Sequence, residues 1–268
     1  MRDAYPTRVI GEGTYCIVTL RAKNMTRLDT SWQKEEVSKS YLEGVRGAIP
    51  LAEEQLDIVL RMIEMVNPKF DNFLDLGCGD GILGRVILSK YPEAKGVFLD
   101  FSPTMIETAE NKVKGKNIEF ICQDYGVKEW VKSVKSQYPF DVIVSGFSIH
   151  HQPDARKREI YAEIYQLLKP GGLFLNLEHV ASNSQWLGKV FDEYFVDSLY
   201  GFHKQNNPDK SRDEIANDYY YRPDKSANIL APVEIQCDWL RELGYINVDC
   251  YFKLFEIALF GGMRPSKP

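Results

Sequence analysis

Two groups of residues in this 268-residue chain have types and spacings suited to chemistry. The first is the run Asp75-Leu-Gly77-Cys78-Gly79-Asp80-Gly81, which follows an apolar segment and opens an amphipathic one. Alternating glycines let a backbone turn tightly and approach a ligand closely. An acidic residue, Asp100, ends the next apolar run. A second register is open, because Gly79-Asp-Gly81-Ile-Leu-Gly84 also fits the G-x-G-x-x-G dinucleotide fingerprint. Charge separates the two. A dinucleotide brings a doubly charged pyrophosphate, which Asp75 and Asp80 repel, whereas a cationic ligand suits them. The second group is His150-His151, Glu178 and Arg222. An imidazole can orient a substrate or take its proton near neutral pH. Glu178 suits a cationic group or an arginine partner, and Arg222, after three tyrosines, suits a carboxylate. His150, His151, Glu178 and His179 also raise the question of zinc. The H-x-x-x-H and CxxC spacings are missing, and adjacent histidines on an extended strand point apart, so no metal is expected.

These residues need elements to position them. From Pro68 onward short apolar runs alternate with amphipathic stretches. Strands are expected at 73–76, 96–99, 118–121, 140–144 and 173–177. Helices are expected at 82–90, from a Ser102 cap with Pro103 first, over 127–136, and from an Asp154 cap to Leu168. Two helices precede them. One covers 33–44, and the other is opened by Pro50, with Leu51, Ile58, Val59, Met62, Ile63 and Val66 on its apolar face. A helix at 232–244 and strands at 246–252 and 254–260 close the pattern. The fold class is therefore α/β: a Rossmann-like, doubly wound sheet of seven strands with a helical N-terminal segment. Ligands of such sheets bind beyond the carboxyl ends of the strands, where the glycine loop, His150, His151 and Glu178 all fall. Residues 179–230 break the rhythm. They are polar and irregular and carry Trp186, Phe191, Tyr194, Phe195 and Tyr219–Tyr221, an insertion between strand five and the last helix. Residues 1–31 read as a flexible extension and 32–268 as the domain.

Composition narrows the partners. With 44% hydrophobic and 26% charged residues a packed soluble core is expected. A net charge of −5 lacks the basic footprint of a nucleic-acid binder, and Arg156-Lys157-Arg158 reads as a solvated helix face. No apolar run approaches the roughly 20 residues of a membrane span. The N-terminus has no signal-peptide pattern. Five cysteines, at 16, 78, 122, 237 and 250, form no CxxC pair and are odd in number. Reduced thiols in the cytoplasm are expected. A homodimer is compatible with all of this.

From about residue 32 onward the chain resembles a class I S-adenosylmethionine-dependent methyltransferase. Five pieces stand in that family's order: Leu74-Asp-Leu-Gly-Cys-Gly-Asp-Gly81, Phe98-Leu-Asp100-Phe-Ser-Pro-x-Met105, Cys122-Gln-Asp124, Phe140-Asp-Val-Ile-Val-Ser-Gly-Phe-Ser-Ile-His-His151 and Leu168-Lys-Pro-Gly-Gly172. The resemblance implies the cofactor, and it implies roles. Asp100 accepts from both ribose hydroxyls, Phe101 lies against adenine, and Asp124 takes the adenine amino group with Gln123 or Tyr125 nearby. Gly77 and Gly79 lie under the methionyl part, in the loop that also holds Asp75, Cys78 and Gly81. Ser145 and Gly146 end the fourth strand, where Gly146 lets the backbone pass close to the cofactor. His150, His151, Glu178 and Arg222 then belong to the acceptor side.

The C-terminal half is similar to a subgroup that includes tRNA-uridine-modification enzymes and carboxy-S-adenosylmethionine synthases. The likeness rests on Glu178 after strand five, the insertion, Arg222, and Trp239-Leu-Arg-Glu-Leu-Gly-Tyr245. Two residues depart from those synthases: Gly81 is present where they lack a third loop glycine, and Gly146 stands where they carry asparagine. Both favour an ordinary methyl donor. The expected activity is methyl transfer to a small-molecule acceptor, releasing S-adenosylhomocysteine. The alternatives are a carboxy-S-adenosylmethionine synthase-like or tRNA-modifying enzyme, and a non-catalytic cofactor-binding module. Residues 179–230 are expected to act as a lid over the acceptor.

Overall fold

A computed structural model describes residues 32–41, 46–66, 69–206 and 209–266. The expected extension at 1–31 and the end of the expected helix at 33–44 lie outside them. Strands β1 (Asn72–Leu76), β2 (Lys95–Asp100), β3 (Ile118–Cys122), β4 (Phe140–Gly146) and β5 (Leu168–His179) are parallel, in the order β3-β2-β1-β4-β5. β7 (Ile257–Met263) runs antiparallel to β5, and β6 (Ile246–Leu254) pairs antiparallel with β7 at the edge. These are the seven strands read from the sequence. Strand order reverses between β1 and β4, and the crevice beyond their carboxyl ends is where such a sheet binds ligands.

The pleat divides the core. On β1, Phe73 enters one buried cluster while Leu74 and Leu76 enter the other. Helices α2 (Ala52–Val66) and α3 (Ile82–Lys90) cover the first face through Val59, Ile63, Leu83 and Ile87. Helices α6 (Asp154–Leu167) and α9 (Val233–Glu242) cover the second through Ile160, Ile164 and Leu240. α4 (Pro103–Lys112) starts as its sequence dictates: Ser102 Oγ accepts from the Met105 amide at 3.4 Å, and Pro103 fills the first turn. A short α1 (Glu35–Ser40) precedes these elements.

Several expectations are corrected. The helix expected at 127–136 is only the single turn α5 (Trp130–Ser133), anchored by the buried Trp130. Asp154 is not the cap of α6. Pro153 holds that position, and Asp154 in the first turn accepts from Lys157 Nζ at 2.7 Å. The trio 156–158 is not a solvated face. Lys157 is fully buried, and Arg156 pairs with Glu163 and donates to the Tyr125 carbonyl. Leu51 stands exposed ahead of α2 at φ 54°, and Gln55 takes a buried place instead, donating to the Pro50 carbonyl. β5 begins at Leu168 rather than 173, and β7 begins at Ile257 rather than 254.

The largest correction concerns 179–230, which is mostly helical. α7 (Gln185–Asn206) runs for 22 residues and α8 (Arg212–Tyr220) for nine. A capping box starts α8, with Ser211 accepting from the Glu214 amide and Glu214 accepting from the Ser211 amide. Phe191, Phe195, Val196 and Leu199 of α7 join the first core. Polar ties join the two helices: Tyr219 Oη donates to Asp192 at 2.7 Å and Tyr220 Oη to Glu193 at 2.8 Å. No helix among the described residues is long and apolar enough to cross a membrane.

Candidate functional site

The glycine loop turns from β1 into α3 through three left-handed residues, Gly77, Gly79 and Gly81, at φ 67°, 55° and 77°. Its amides explain the turn. Those of Gly77 and Cys78 both donate to the Leu99 carbonyl, at 2.7 and 3.0 Å, which stitches the loop to the end of β2. The three glycines differ in purpose. A Cβ on Gly81 would meet Val113 Cγ2 at 2.7 Å and Phe98 Cε1 at 3.3 Å, so this glycine serves packing. A Cβ on Gly77 would collide with Ser148. A Cβ on Gly79 would meet nothing within 4 Å, so that position opens on a cleft.

Asp100 forms the cleft's polar corner. Its Oδ2 accepts from the Gly79 amide and its Oδ1 from the Ser102 amide, both at 2.9 Å. Burial pushes its carboxyl above the ordinary range while these amides pull it back. Asp75 is tied to the Gly84 amide at 2.9 Å, and Asp80 is paired with Arg85 and Lys112. The negative charge read from the loop is thus largely offset at Asp80, and the carboxylate left at the corner is Asp100. Phe101, Ser102, Met105, Cys78, Leu83 and Gly146 complete the cleft wall. Gln123, Asp124, Tyr125 and Ser145, expected at the cofactor, are not among the residues that line it. The Gln123 amide donates to the Asp100 carbonyl, Asp124 Oδ1 accepts from the Gly126 amide at 2.7 Å, and Tyr125 Oη is 2.6 Å from Ser148 Oγ. Ser145 is fully buried, and its Oγ has no hydrogen-bond partner among the described residues.

Beyond β4 the chain enters a 3₁₀ turn, Ile149–His151, after Phe147 adopts φ 49° with its amide held by the Leu177 carbonyl at 2.7 Å. This turn overturns the expectation that the two histidines diverge: their rings sit 3.9 Å apart, centroid to centroid. His150 Nδ1 lies 2.5 Å from Glu178 Oε1, and the His150 amide donates to Glu178 Oε2 at 3.0 Å. The His179 amide donates to Oε1 at 2.9 Å. Burial raises the Glu178 carboxyl to about 7 and lowers the His150 imidazole well below its ordinary range. His151 Nδ1 is 3.2 Å from the Ala227 carbonyl. A strap at 227–231 holds the turn from outside. The Ile229 amide donates to the His150 carbonyl, and the buried Lys157 Nζ donates to the Ile229 carbonyl.

The cleft opens into a chamber of about 750 Å³. Trp32, Tyr41, Ile49, Phe147 and His151 line both spaces, so the two are continuous. All four histidines of the chain, at 150, 151, 179 and 203, line the chamber. Sequence reasoning had passed over His203 and the pair His179 Nε2–Glu256 Oε2, 3.0 Å apart. It also passed over Asn228, which approaches the His150 ring. Only His203 left a signal: it continues Phe191, Phe195 and Leu199 at four-residue intervals. Arg222 lines the chamber, as expected, but its guanidinium is engaged. It stacks 4.4 Å from the Tyr219 ring, Nη1 donates to the Tyr219 carbonyl, and Nε is 3.3 Å from Asp224. No group of three or more metal-ligating side chains suited to an ion occurs among the described residues.

The geometry agrees with what the chain is similar to. A model of the methyltransferase domain family matches residues 73–172. A carboxy-S-adenosyl-L-methionine synthase of Nautilia profundicola is 24% identical over 230 residues, 84% of this chain and 91% of that one. The malonyl-[acyl-carrier protein] O-methyltransferase 2 of Ilyobacter polytropus is 34% identical over 145 residues, 53% of each chain. Human N-acetylserotonin methyltransferase, solved with S-adenosylmethionine, shares the fold at a TM-score of 0.55 and 16% identity. That match covers 90% of this chain and 60% of that one.

Proposed function

Because this chain is a class I S-adenosylmethionine-dependent methyltransferase, we propose that it methylates a weakly acidic hydroxyl on a small-molecule acceptor, with His150 taking the proton. The observation that carries this reading is the buried 2.5 Å contact between Nδ1 of His150, which lines the chamber, and Oε1 of the fully buried Glu178. The residues of the cleft suit the cofactor. Gly79 leaves open space where a side chain would stand, and each Asp100 oxygen, having accepted one amide, keeps acceptor capacity for a ribose hydroxyl. We assign adenine to the Phe101–Met105 wall, with Gln123, Asp124 and Tyr125 nearby, and the methionyl part to Gly77, Cys78 and Gly79.

Bound S-adenosylmethionine supplies a methyl carbon already activated by its sulfonium. What remains for the chain is positioning, water exclusion and removal of the acceptor's proton. A neutral hydroxyl is a poor nucleophile. Glu178 accepts two backbone amides and so favours the tautomer in which His150 Nδ1–H donates to it. The other ring nitrogen then carries a lone pair and receives the proton, the side-chain hydrogen bond between Asn228 and the ring giving way to the acceptor's hydroxyl. α7 and α8 wall the chamber and keep water out. A reducing cytoplasm suits the described cysteines, all of them free.

The test is a panel of phenols, thiols, amines and carboxylic acids, assayed for S-adenosylhomocysteine. Turnover is expected with phenols or enols and is expected to fall at least 10²-fold in His150→Ala. Intact turnover in both His150→Ala and Glu178→Gln would leave the pair a structural one.

A second reading has specific support: the Nautilia profundicola synthase aligns over most of both chains, and Arg222 stands in the chamber wall. The chain would then join a carboxyl group, released as carbon dioxide by a decarboxylating co-substrate, to the cofactor's methyl carbon, which gives up a proton. The bonds already made by Arg222 weigh against that use. The mass of the nucleoside product separates the readings.

A further inference from the structure

We propose that the acceptor is an elongated, mostly apolar molecule that lies along α7, with its hydroxyl at His150 and its far end beside His203. The inference rests on the methyl-transfer reading of the His150–Glu178 pair and adds the length and polarity of the substrate. Its basis is a ridge on α7. Phe191, Phe195, Leu199 and His203 recur every four residues and all line the chamber. Twelve residues of helix span about 18 Å. The ridge starts at the reactive end, because the His179 ring lies 5.7 Å from that of His150 and 5.6 Å from that of Phe191. Phe195 follows at 5.6 Å from Phe191 and closes on Tyr219 of α8 at 5.5 Å.

His150, His151, His179 and Asn228 stand at the reactive end of this path and His203 at the far end of the ridge, while Tyr219, Arg222 and Asp224, which also line the chamber, are bonded to one another or to α7. Between the two ends Phe195, Leu199 and Ile215 offer no hydrogen bond. A polar group placed there would lose its water without replacement, which costs on the order of 1–3 kcal/mol. The α7 face of the chamber therefore disfavours sugars and free amino acids along its middle and suits an alkyl or extended aromatic body. A chamber of about 750 Å³ also exceeds what a single ring fills.

The experiment measures binding of phenol, 4-butylphenol, 4-hexylphenol and 4-octylphenol to the full chain by calorimetry, with S-adenosylhomocysteine saturating. Affinity is expected to rise by roughly two- to fourfold per methylene through octyl. Leu199→Trp, placed mid-ridge, is expected to end the gain beyond butyl. A thermal melt reports whether that variant folds, and the unmodified chain's series decides the matter without it. Affinity independent of chain length overturns the proposal, as does an equal gain in a folded Leu199→Trp. Chain-length-dependent binding with no S-adenosylhomocysteine formed from S-adenosylmethionine supports the elongated site and removes the hydroxyl reading, so the two fail separately.

Discussion

Glu178 and His150 face each other where water is excluded, and in the proposed reaction their chemistry would depend on one proton. Burial raises the Glu178 carboxyl to about 7 and keeps His150 from ionising. Below about 7 the pair gains a proton and His150 would have no lone pair to offer; above it His150 would be free to act as the proposed base. At saturating cofactor, turnover is expected to rise with pH through about 7 and then level. Lys157 sharpens this expectation, because its buried charge lowers both partners. Lys157→Met is expected to move the rising limb to higher pH, whereas a purely structural loss would scale the profile without moving it. Glu178→Gln is expected to cost about 10²-fold in turnover by releasing the tautomer. The glycine loop gives a paired prediction at the same scale. Gly79→Ala puts a methyl into open space and is expected to weaken cofactor binding at least tenfold in calorimetry, with about 1 kcal/mol of backbone strain. Gly81→Ala drives its methyl into Val113 and Phe98 and is expected to destabilise the fold by about 2 kcal/mol in denaturant melts. The reverse pattern would mean that the loop presents a different glycine to the ligand.

α7 and α8 differ in how they are held, and that difference decides which of them can move. α7 sinks Phe191, Phe195, Val196 and Leu199 into the core, whereas the shorter α8 adds only Ile215 and Tyr219 and is otherwise held by rim contacts such as Arg212 with Glu193 and Asp197. Exposed pairs of this kind contribute little, about 0–1 kcal/mol each. Hydrogen exchange is expected to slow in α8 and at 223–228 when S-adenosylhomocysteine and 4-octylphenol are bound together, and to change little around Val196. Equal protection of both helices would make the segment a fixed wall. The contrast also explains what was legible. The loop, β1, β2, α3 and the Ser102 cap follow from local residue types and could be read directly. α7 could not, because Trp186, Tyr194 and charged residues interleave with its apolar ridge and blur the helical period. Lys157 misled because its neighbours Arg156 and Arg158 suggested a solvated run, whereas its partner carbonyl lies 72 positions away.

Across the molecule, the sheet could be read strand by strand because buried parallel strands are nearly continuous apolar runs. The candidate site was legible only as separate pieces. His150 and Glu178 are 28 residues apart and His179 and Glu256 are 77 apart, and nothing in their spacing shows which carboxylate each imidazole meets. One feature of the sheet also bears on timing. β7 is the last strand in sequence yet lies inside the edge, where its Ala258 pairs with Glu178. During synthesis the five parallel strands, with the glycine loop and Asp100, emerge well before it. Until Met263 has left the ribosome, one flank of Glu178 lacks its neighbour. In the proposed reaction, the residues assigned to the methyl donor would therefore be in place before the strand that completes the surroundings of the proton-taking pair.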